Sequence, residues 1–268
     1  MNKIPYTLIT GAAGLLGKYH AIGILNLKQN LVITDTDLTS LKKTQIFLKK
    51  KFPNSKVLLK KLDVTSEKSI KKLLNYLRTK KIVIKVLINN ATIDAKFSSK
   101  KTTNRLENFS LKQWNKEINV GLSGAFLCSK YFGNAMAKEN KGGIILNIAS
   151  DLSILAPNQN IYKLKNTSLK NQPVKPVTYS VVKHGLIGLT KYLSTYWPNN
   201  NIRCNALSPG PILDIQSRSL INKLKKLIPM NRLANKDEYI SAIEFLCSNK
   251  SSYMTGQNLI IDGGRSAW

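Results

Sequence analysis

The segment TGAAGLLG at residues 10–17 decides the fold class of this chain. It follows a β-rich run at 4–10 and precedes helical spacing of apolar residues from Lys18 to Leu27. Glycines permit a tight turn and a close approach of the backbone to a pyrophosphate, and the N-terminus of the following helix stabilises negative charge. A Gly-rich turn in this context predicts a dinucleotide-binding βαβ unit, although a purely structural turn has the same appearance.

Strands and helices alternate along the rest of the chain. Apolar strands are predicted at 31–35, 57–65, 86–91, 142–150, 202–210 and 257–264, and helices at 37–51, 67–80, 114–137, 178–196 and 236–247. This order predicts a single α/β domain over residues 1–268, a doubly wound Rossmann domain with a central parallel sheet flanked by helices. The stretch 151–177 is rich in Asn, Pro and Lys and is too long for an ordinary connection, so it predicts an enlarged substrate-side loop.

Composition limits the function classes. The chain has 268 residues, 43% of them hydrophobic, and no apolar run long enough to cross a membrane. Its N-terminus enters the first strand without the pattern of a secretory signal. Cys128, Cys204 and Cys247 lie in apolar surroundings, which indicates reduced core residues and predicts a cytoplasmic location. With His20 and His184 as the only histidines, we expect no metal site.

The net charge is unusual, since 42 Lys+Arg against 14 Asp+Glu give +28. A field of this sign attracts nucleic acid, anionic membranes or phosphorylated substrates. The lysines are scattered in pairs and triplets along the whole chain, and no nucleic-acid-binding motif accompanies them. We interpret the charge as a compositional bias on solvated surfaces, and we expect neither a nucleic acid nor a membrane as partner.

Asp35 ends the second predicted strand. A carboxylate at this place binds the ribose hydroxyls of NAD and repels the additional phosphate of NADP. The same residue is also compatible with a helix N-cap. No Arg lies nearby to receive a 2′-phosphate, although Lys42 and Lys43 follow on the next helix. The residues therefore favour NAD over NADP as cofactor.

Tyr179 and Lys183 form a YxxxK motif at the start of a predicted helix and project from one face of it. The ordinary pKa of a tyrosine hydroxyl is about 10, and a neighbouring ammonium lowers that pKa by favouring the phenolate. Such a group gives or takes a proton near pH 7. Ser150 ends the fifth predicted strand, at the edge where an open α/β sheet binds its ligands. A chance pair of surface residues is the alternative interpretation of the motif.

A set of motifs occurs in a fixed order: TGAAGLLG, Asp35, LDVT (62–65), NNA (89–91), NIAS (147–150), YSVVK (179–183), SPGPI (208–212) and TGQNLIIDGG (255–264). In this order they resemble the short-chain dehydrogenase/reductase family over essentially the whole chain. VGLSGAFLCSK (120–130), IASDLSILAP (148–157) and IDGGRSAW (261–268) further resemble a bacterial subgroup of flagellin modification and surface-polysaccharide synthesis.

The resemblance implies hydride transfer between NAD(P) and a hydroxyl or ketone of a sugar or nucleotide-sugar, in a homodimer or homotetramer. It implies that Tyr179 is the general acid/base, that Lys183 binds the nicotinamide ribose and that Ser150 orients the substrate oxygen. The cofactor-binding residues that it implies are Gly11, Gly14, Leu16, Gly17, Asp35, Asp63, Val64, Asn90, Ala91, Tyr179, Lys183, Pro209, Gly210 and Ile212.

Three features depart from the family pattern. Leu15 stands where the compact branch has a glycine, Gly121 stands at the position of the family's catalytic Asn, and the segment between Ser150 and Tyr179 is longer than usual. Without that Asn, the proton relay needs water or another side chain, or is absent. Two alternatives remain open: a 3-ketoacyl-carrier-protein reductase-like enzyme, which Asp35 disfavours because such enzymes generally use NADPH, and a catalytically weakened NAD-binding protein.

Overall fold

The computed structural model describes residues 5–93 and 104–268 of the chain. The strands are β1 (Tyr6–Ile9), β2 (Asn30–Asp35), β3 (Val57–Lys61), β4 (Ile84–Asn89), β5 (Gly143–Ile148), β6 (Ile202–Pro209) and β7 (Asn258–Ile261). All pair in parallel, in the order β3-β2-β1-β4-β5-β6-β7. The direction of winding reverses between β1 and β4, which confirms the predicted doubly wound sheet and places a ligand-binding crevice at the carboxyl ends of these strands.

The helices are α1 (Gly17–Asn26), α2 (Leu38–Lys51), α3 (Glu67–Thr79), α4 (Leu111–Ile118), α5 (Gly124–Cys128), α6 (Asn134–Glu139), α7 (Val177–Tyr196), α8 (Arg218–Lys225) and α9 (Ile240–Leu246). Two π-helical turns, Asn119–Ser123 and Ser129–Gly133, join α4, α5 and α6 where the sequence predicts one helix over 114–137. Among the described residues, no helix combines the length and apolarity needed to cross a bilayer.

The apolar strands bury side chains on both faces of the sheet. Ile9 and Ile33 pack with α1, α2 and α9 on one face, whereas Leu8 and Val32 pack with α3, α7 and the π-helical turn before α6 on the other. Successive side chains of a strand point to opposite faces, so strands buried on both sides are continuously apolar. Full burial of each such side chain contributes about 1.5–3 kcal/mol.

Helix α8 was not predicted from the sequence. Ser217 is its N-cap and accepts from the backbone N–H of Leu220 at 3.3 Å. Leu220 and Leu224 lie one turn apart and bury against Ile161. A serine N-cap followed by two leucines four residues apart predicts a helix, so this short, Lys-rich helix could have been found from the sequence.

The stretch 151–177 is folded against α8. It contains three short 3₁₀ turns, Asp151–Ser153, Gln159–Tyr162 and Leu169–Asn171. The buried Gln172 side chain bonds to the backbone N–H and C=O of Leu164 at 2.7 and 3.0 Å. These amide contacts give the loop a defined shape between β5 and α7.

Candidate active site

The Gly-rich turn after β1 needs glycine where it meets β4. Gly11 has a φ of +62°, and a Cβ there would lie 2.7 Å from the Cα of Ala91. A Cβ on Gly17 would lie 2.6 Å from the Cα of Ala12. The Asn90 amide donates to the carbonyl of Gly11 at 2.8 Å. The turn is therefore held closely against the end of β4.

The N-terminus of α1 is arranged to receive an anion. Its N-cap is Leu16, which makes no side-chain capping bond, and its first turn contains no acidic residue. The first N–H groups of a helix lack intrahelical partners and attract negative charge. Together with Gly14 in the turn before it, this end fits the pyrophosphate of a dinucleotide. Leu15, which stands where the compact branch of the family has a glycine, is 44% exposed.

Asp35 lies beside the Gly-rich turn. Its carboxylate accepts from the backbone N–H of Ala13 at 3.1 Å and from that of Asp37 at 3.1 Å. The N-cap of α2 is Asp37, which accepts from Ser40 N–H at 3.1 Å. The alternative interpretation of Asp35 as an N-cap is therefore wrong, and its carboxylate stands at the carboxyl end of β2.

The LDVT segment adjoins Asp35, since Leu62 N–H donates to the carbonyl of Asp35 at 3.1 Å. The Asp63 carboxylate accepts from the N–H and hydroxyl of Thr65 at 2.9 and 2.7 Å. Val64 is buried and lies close to Gly124. A Cβ added to Gly124 would lie 2.6 Å from the Cγ2 of Val64. The segment thus stands at the same edge of the sheet as the Gly-rich turn.

Pro209 is the last residue of β6, and Gly210 and Ile212 follow it. Gly210 N–H donates to the carbonyl of Ile261 at 2.9 Å, and a Cβ on Gly210 would lie 2.6 Å from the Cα of Asp262. Ile212 forms a bridge with a segment before α9. The SPGPI motif is thereby packed against the C-terminal turn.

Tyr179 and Lys183 stand on α7. The Lys183 ammonium is buried and donates to the carbonyl of Ile148 at 2.8 Å, and it lies 5.7 Å from the centroid of the Tyr179 ring. The Lys175 ammonium lies over the same ring, 3.7 Å from its centroid. Ser150 comes two residues after Ile148, and the 3₁₀ turn behind it packs on α7. The fold brings the three residues of the predicted catalytic set to one end of the sheet.

A buried carboxylate that sequence reasoning missed lies next to this set. Glu117 of α4 accepts from the hydroxyl of Thr178 and from the amide of Gln113. Thr178 directly precedes Tyr179, so the bond ties the start of α7 to α4. In a Lys-rich amphipathic segment, an acidic residue has the appearance of a solvated side chain, and its burial depends on the packing of two distant helices.

A second missed feature is a buried ion pair beside Ser150. Asp151 and Arg265 join at 2.5 Å, and their side chains are only 4% and 8% exposed. The other carboxylate oxygen of Asp151 accepts from the Ser150 hydroxyl at 2.8 Å. Arg265 belongs to the motif IDGGRSAW, in which the family resemblance implies no role for the arginine.

Gly121 lies in the π-helical turn after α4 and faces α7. A Cβ at this position would lie 2.6 Å from the Cγ1 of Val182 and 3.4 Å from the hydroxyl of Thr92. Val182 is buried and adjoins Lys183 in the chain. Side chains of this chain thus occupy the space into which an asparagine at position 121 would project.

We expect Gly121→Asn to destabilise the protein by about 1–3 kcal/mol, the usual effect of overpacking a core. Val182→Ala in the same chain should restore most of this loss, because it removes the methyl group that the new side chain meets. Urea unfolding of both single variants and the double variant measures the coupling. Additive losses would show that Val182 is not the residue that excludes the asparagine.

His20 and the cysteines are buried, whereas His184 is exposed on α7. Burial lowers the pKa of His20 to about 3, so its ring is neutral at pH 7. Burial raises the pKa of the Cys128 and Cys247 thiols to about 12. The described residues contain no group of His, Cys, Asp and Glu that could hold a metal ion.

Comparison with known proteins identifies the family. Residues 5–163 match the family model described as short chain dehydrogenase, and residues 167–266 match the model described as enoyl-(acyl carrier protein) reductase. The chain belongs to the short-chain dehydrogenase/reductase family. It is an oxidoreductase that acts on CH–OH groups of small molecules with NAD(P).

The chain is similar to individual members over nearly its whole length. Post-translational flagellin modification protein A from Campylobacter coli is 28% identical over 98% of each chain. The 3-oxoacyl-[acyl-carrier-protein] reductase of Buchnera aphidicola subsp. Schizaphis graminum is 31% identical over 96% of this chain and 95% of the relative. The structure of a short-chain dehydrogenase from Leptospira borgpetersenii with bound NAD+ superposes with a TM-score of 0.84, at 28% identity over 98% of this chain and 93% of that one.

Proposed function

We propose that this oxidoreductase transfers a hydride between NAD(H) and a hydroxyl or ketone of a sugar or nucleotide-sugar, in surface-glycan or flagellin-glycan biosynthesis. The observation that carries the reaction type is the position of Lys183, which is buried, bound to the carbonyl of Ile148 and adjacent to the Tyr179 ring, at the end of the sheet where Ser150 lies. By family resemblance, the protein acts as a homodimer or homotetramer.

The proposed chemistry divides the work among three side chains. Bound nicotinamide supplies or accepts the hydride. Tyr179 exchanges the proton of the substrate oxygen, and the fixed charge of Lys183 favours its phenolate form. Ser150 orients the substrate. Thr178, held by Glu117, fixes the start of the helix that carries Tyr179.

We propose a preference for NAD over NADP that depends on Asp35. Its carboxylate is fixed by backbone N–H groups beside the Gly-rich turn, where it receives the ribose hydroxyls and repels a 2′-phosphate. The Leptospira relative contains NAD+ in its structure.

Asp35→Ala should lower the ratio of kcat/KM with NAD to that with NADP by about ten- to hundredfold, because a hydrogen bond to a charged group is worth about 1.5–3 kcal/mol. Asp37→Ala is the matched control: it removes the cap of α2 but should leave the ratio unchanged. A wild-type protein that uses both cofactors equally would contradict the assigned role of Asp35.

The substrate class rests on the loop 151–177 and on the flagellin-modification relative. A loop built from side-chain amide contacts, such as those of Gln172, suits a hydroxylated ligand. Thermal unfolding should be measured with UDP-, GDP- and CMP-sugars and sugar phosphates, each with and without NAD(H). A compound that raises Tm only when NAD(H) is present supports the proposal. No effect from any sugar, together with turnover of an acyl-carrier thioester, contradicts it.

A second candidate function, that of a 3-ketoacyl-carrier-protein reductase-like enzyme, also has support. The Buchnera relative is named a 3-oxoacyl-[acyl-carrier-protein] reductase, and a net charge of +28 attracts an acidic carrier protein. Asp35 opposes this candidate because it disfavours NADPH. Activity with a carrier-bound ketoacyl substrate that falls steeply with added salt would favour it.

A further inference from the structure

Strand β3 lies at the outer edge of the sheet, and in the part of the chain that the structure describes it pairs with β2 alone. Leu62, directly after β3, donates its N–H to the carbonyl of Asp35 in β2 at 3.1 Å. The backbone groups of successive residues in a strand point alternately to its two sides. Those of Val57, Leu59 and Lys61 therefore point away from the sheet, as an edge strand presents them for further pairing.

A side chain already binds one of these backbone groups. The amide of Gln45 in α2 donates to the carbonyl of Val57 at 2.8 Å. This amide N–H stands where a donor from a further strand would stand. Leu59 is half-buried and Lys61 is exposed, so the edge continues towards solvent beyond Gln45, where an extended chain can add a strand.

Side chains of α2, β3 and α3 line a groove along this edge, which we call the edge groove. Leu38 and Lys49 of α2 line it, together with Lys60 of β3 and Tyr76 of α3. The Lys60 ammonium lies over the Tyr76 ring, 3.5 Å from the ring centroid, and Lys49 is exposed. The edge groove thus combines apolar surface with ammonium groups from both α2 and β3.

The charge of this region selects an acidic partner. Residues 38–61 contain eight lysines and no acidic residue. A second copy of this chain would bring the same charge to the edge and would be repelled, the usual effect of lysines at a sheet edge. A nucleic acid is attracted by the charge, but it has no row of N–H and C=O groups at the spacing of a β-strand. A peptide chain with acidic side chains matches both the charge and the backbone groups of the edge.

We propose that the edge groove binds an extended, acidic segment of a partner protein, which adds a strand to the sheet next to β3. The backbone of this segment pairs with that of Leu59 and Lys61. Its carboxylates contact the ammonium groups of Lys49 and Lys60. Strands β2, β1 and β4 separate this edge from β5 and Ser150, so the inference goes beyond the proposed function and does not depend on the substrate.

The test measures binding of the full chain to a synthetic peptide of alternating glutamate and valine residues by fluorescence anisotropy. A peptide of alternating glutamate and proline has the same charge, but proline has no N–H and does not continue a strand. We expect the Glu–Val peptide to bind at least about tenfold more tightly, since it alone gains several backbone hydrogen bonds. Its binding should also slow amide hydrogen exchange in 57–61, which attraction by charge alone does not do.

Lys49→Gln/Lys60→Gln should weaken binding of the Glu–Val peptide by about three- to tenfold, because two ion pairs are lost. Lys138→Gln/Lys250→Gln is the matched control: it removes the same charge from exposed lysines outside the edge groove and should change the affinity by less than about twofold. Urea unfolding should give both variants the stability of the wild type. Equal affinity for the two peptides, an equal loss in the two variants or unchanged exchange in 57–61 overturns the inference. Single-stranded DNA that protects 57–61 in place of the peptide also overturns it.

Discussion

Tyr179→Phe should reduce NAD-dependent turnover by about 10²–10⁴-fold, the usual contribution of a positioned general acid/base. The substitution removes one hydroxyl and keeps the ring that lies under Lys175. The Gly-rich turn and Asp35 belong to other elements, so we expect the stabilisation by NAD in thermal unfolding to remain. Loss of turnover with retained binding separates catalysis from folding.

Tyr192→Phe is the matched control, since Tyr192 lies on the same helix with an exposed side chain. Its activity should equal that of the wild type. If Tyr179→Phe keeps activity within a few-fold while NAD still binds, Tyr179 is not the proton donor. The interpretation as a catalytically weakened NAD-binding protein then becomes the better one. Its structural basis is that Val182 occupies the space that the family's catalytic Asn would need at position 121.

The fold could be predicted because its signals are local. Each strand is a short apolar run bounded by turn residues, and the parallel order follows from the helices between them. Asp37 and Ser66 cap α2 and α3, and the side chain of each accepts from the backbone N–H three residues further on. Helix α8 carried a comparable signal at Ser217 but is short and rich in lysine, and it was missed.

The contacts around the candidate site depend on pairs that are distant in the chain. Glu117 meets Thr178, and Asp151 meets Arg265, across 61 and 114 positions of the chain. Neither pair has a periodicity or spacing that a single sequence displays. The motif order predicts Ser150, Tyr179 and Lys183 as the catalytic set, whereas the contacts of Glu117, Asp151 and Arg265 around them required the tertiary structure.

Substitution of Arg265 should destabilise the protein more than Gly121→Asn does. Arg265→Met removes the cation and leaves the Asp151 carboxylate buried without its partner, which should lower the free energy of unfolding by about 3–5 kcal/mol. Urea unfolding measures the loss. The hydrogen bonds from Ser150 and Leu152 to the same carboxylate remain, so we expect the lower part of this range.

Two further variants test whether the loss of stability comes from the unpaired charge or from lost packing in the C-terminal turn. Asp151→Asn/Arg265→Met should regain most of the stability, because a pair of buried charges is replaced by uncharged groups. Arg232→Met breaks an ion pair with Glu238 whose side chains are 44% and 35% exposed, and it should change the free energy of unfolding by no more than about 1 kcal/mol. If the double variant is as unstable as Arg265→Met, the arginine stabilises the turn by packing, and the carboxylate beside Ser150 does not depend on its charge.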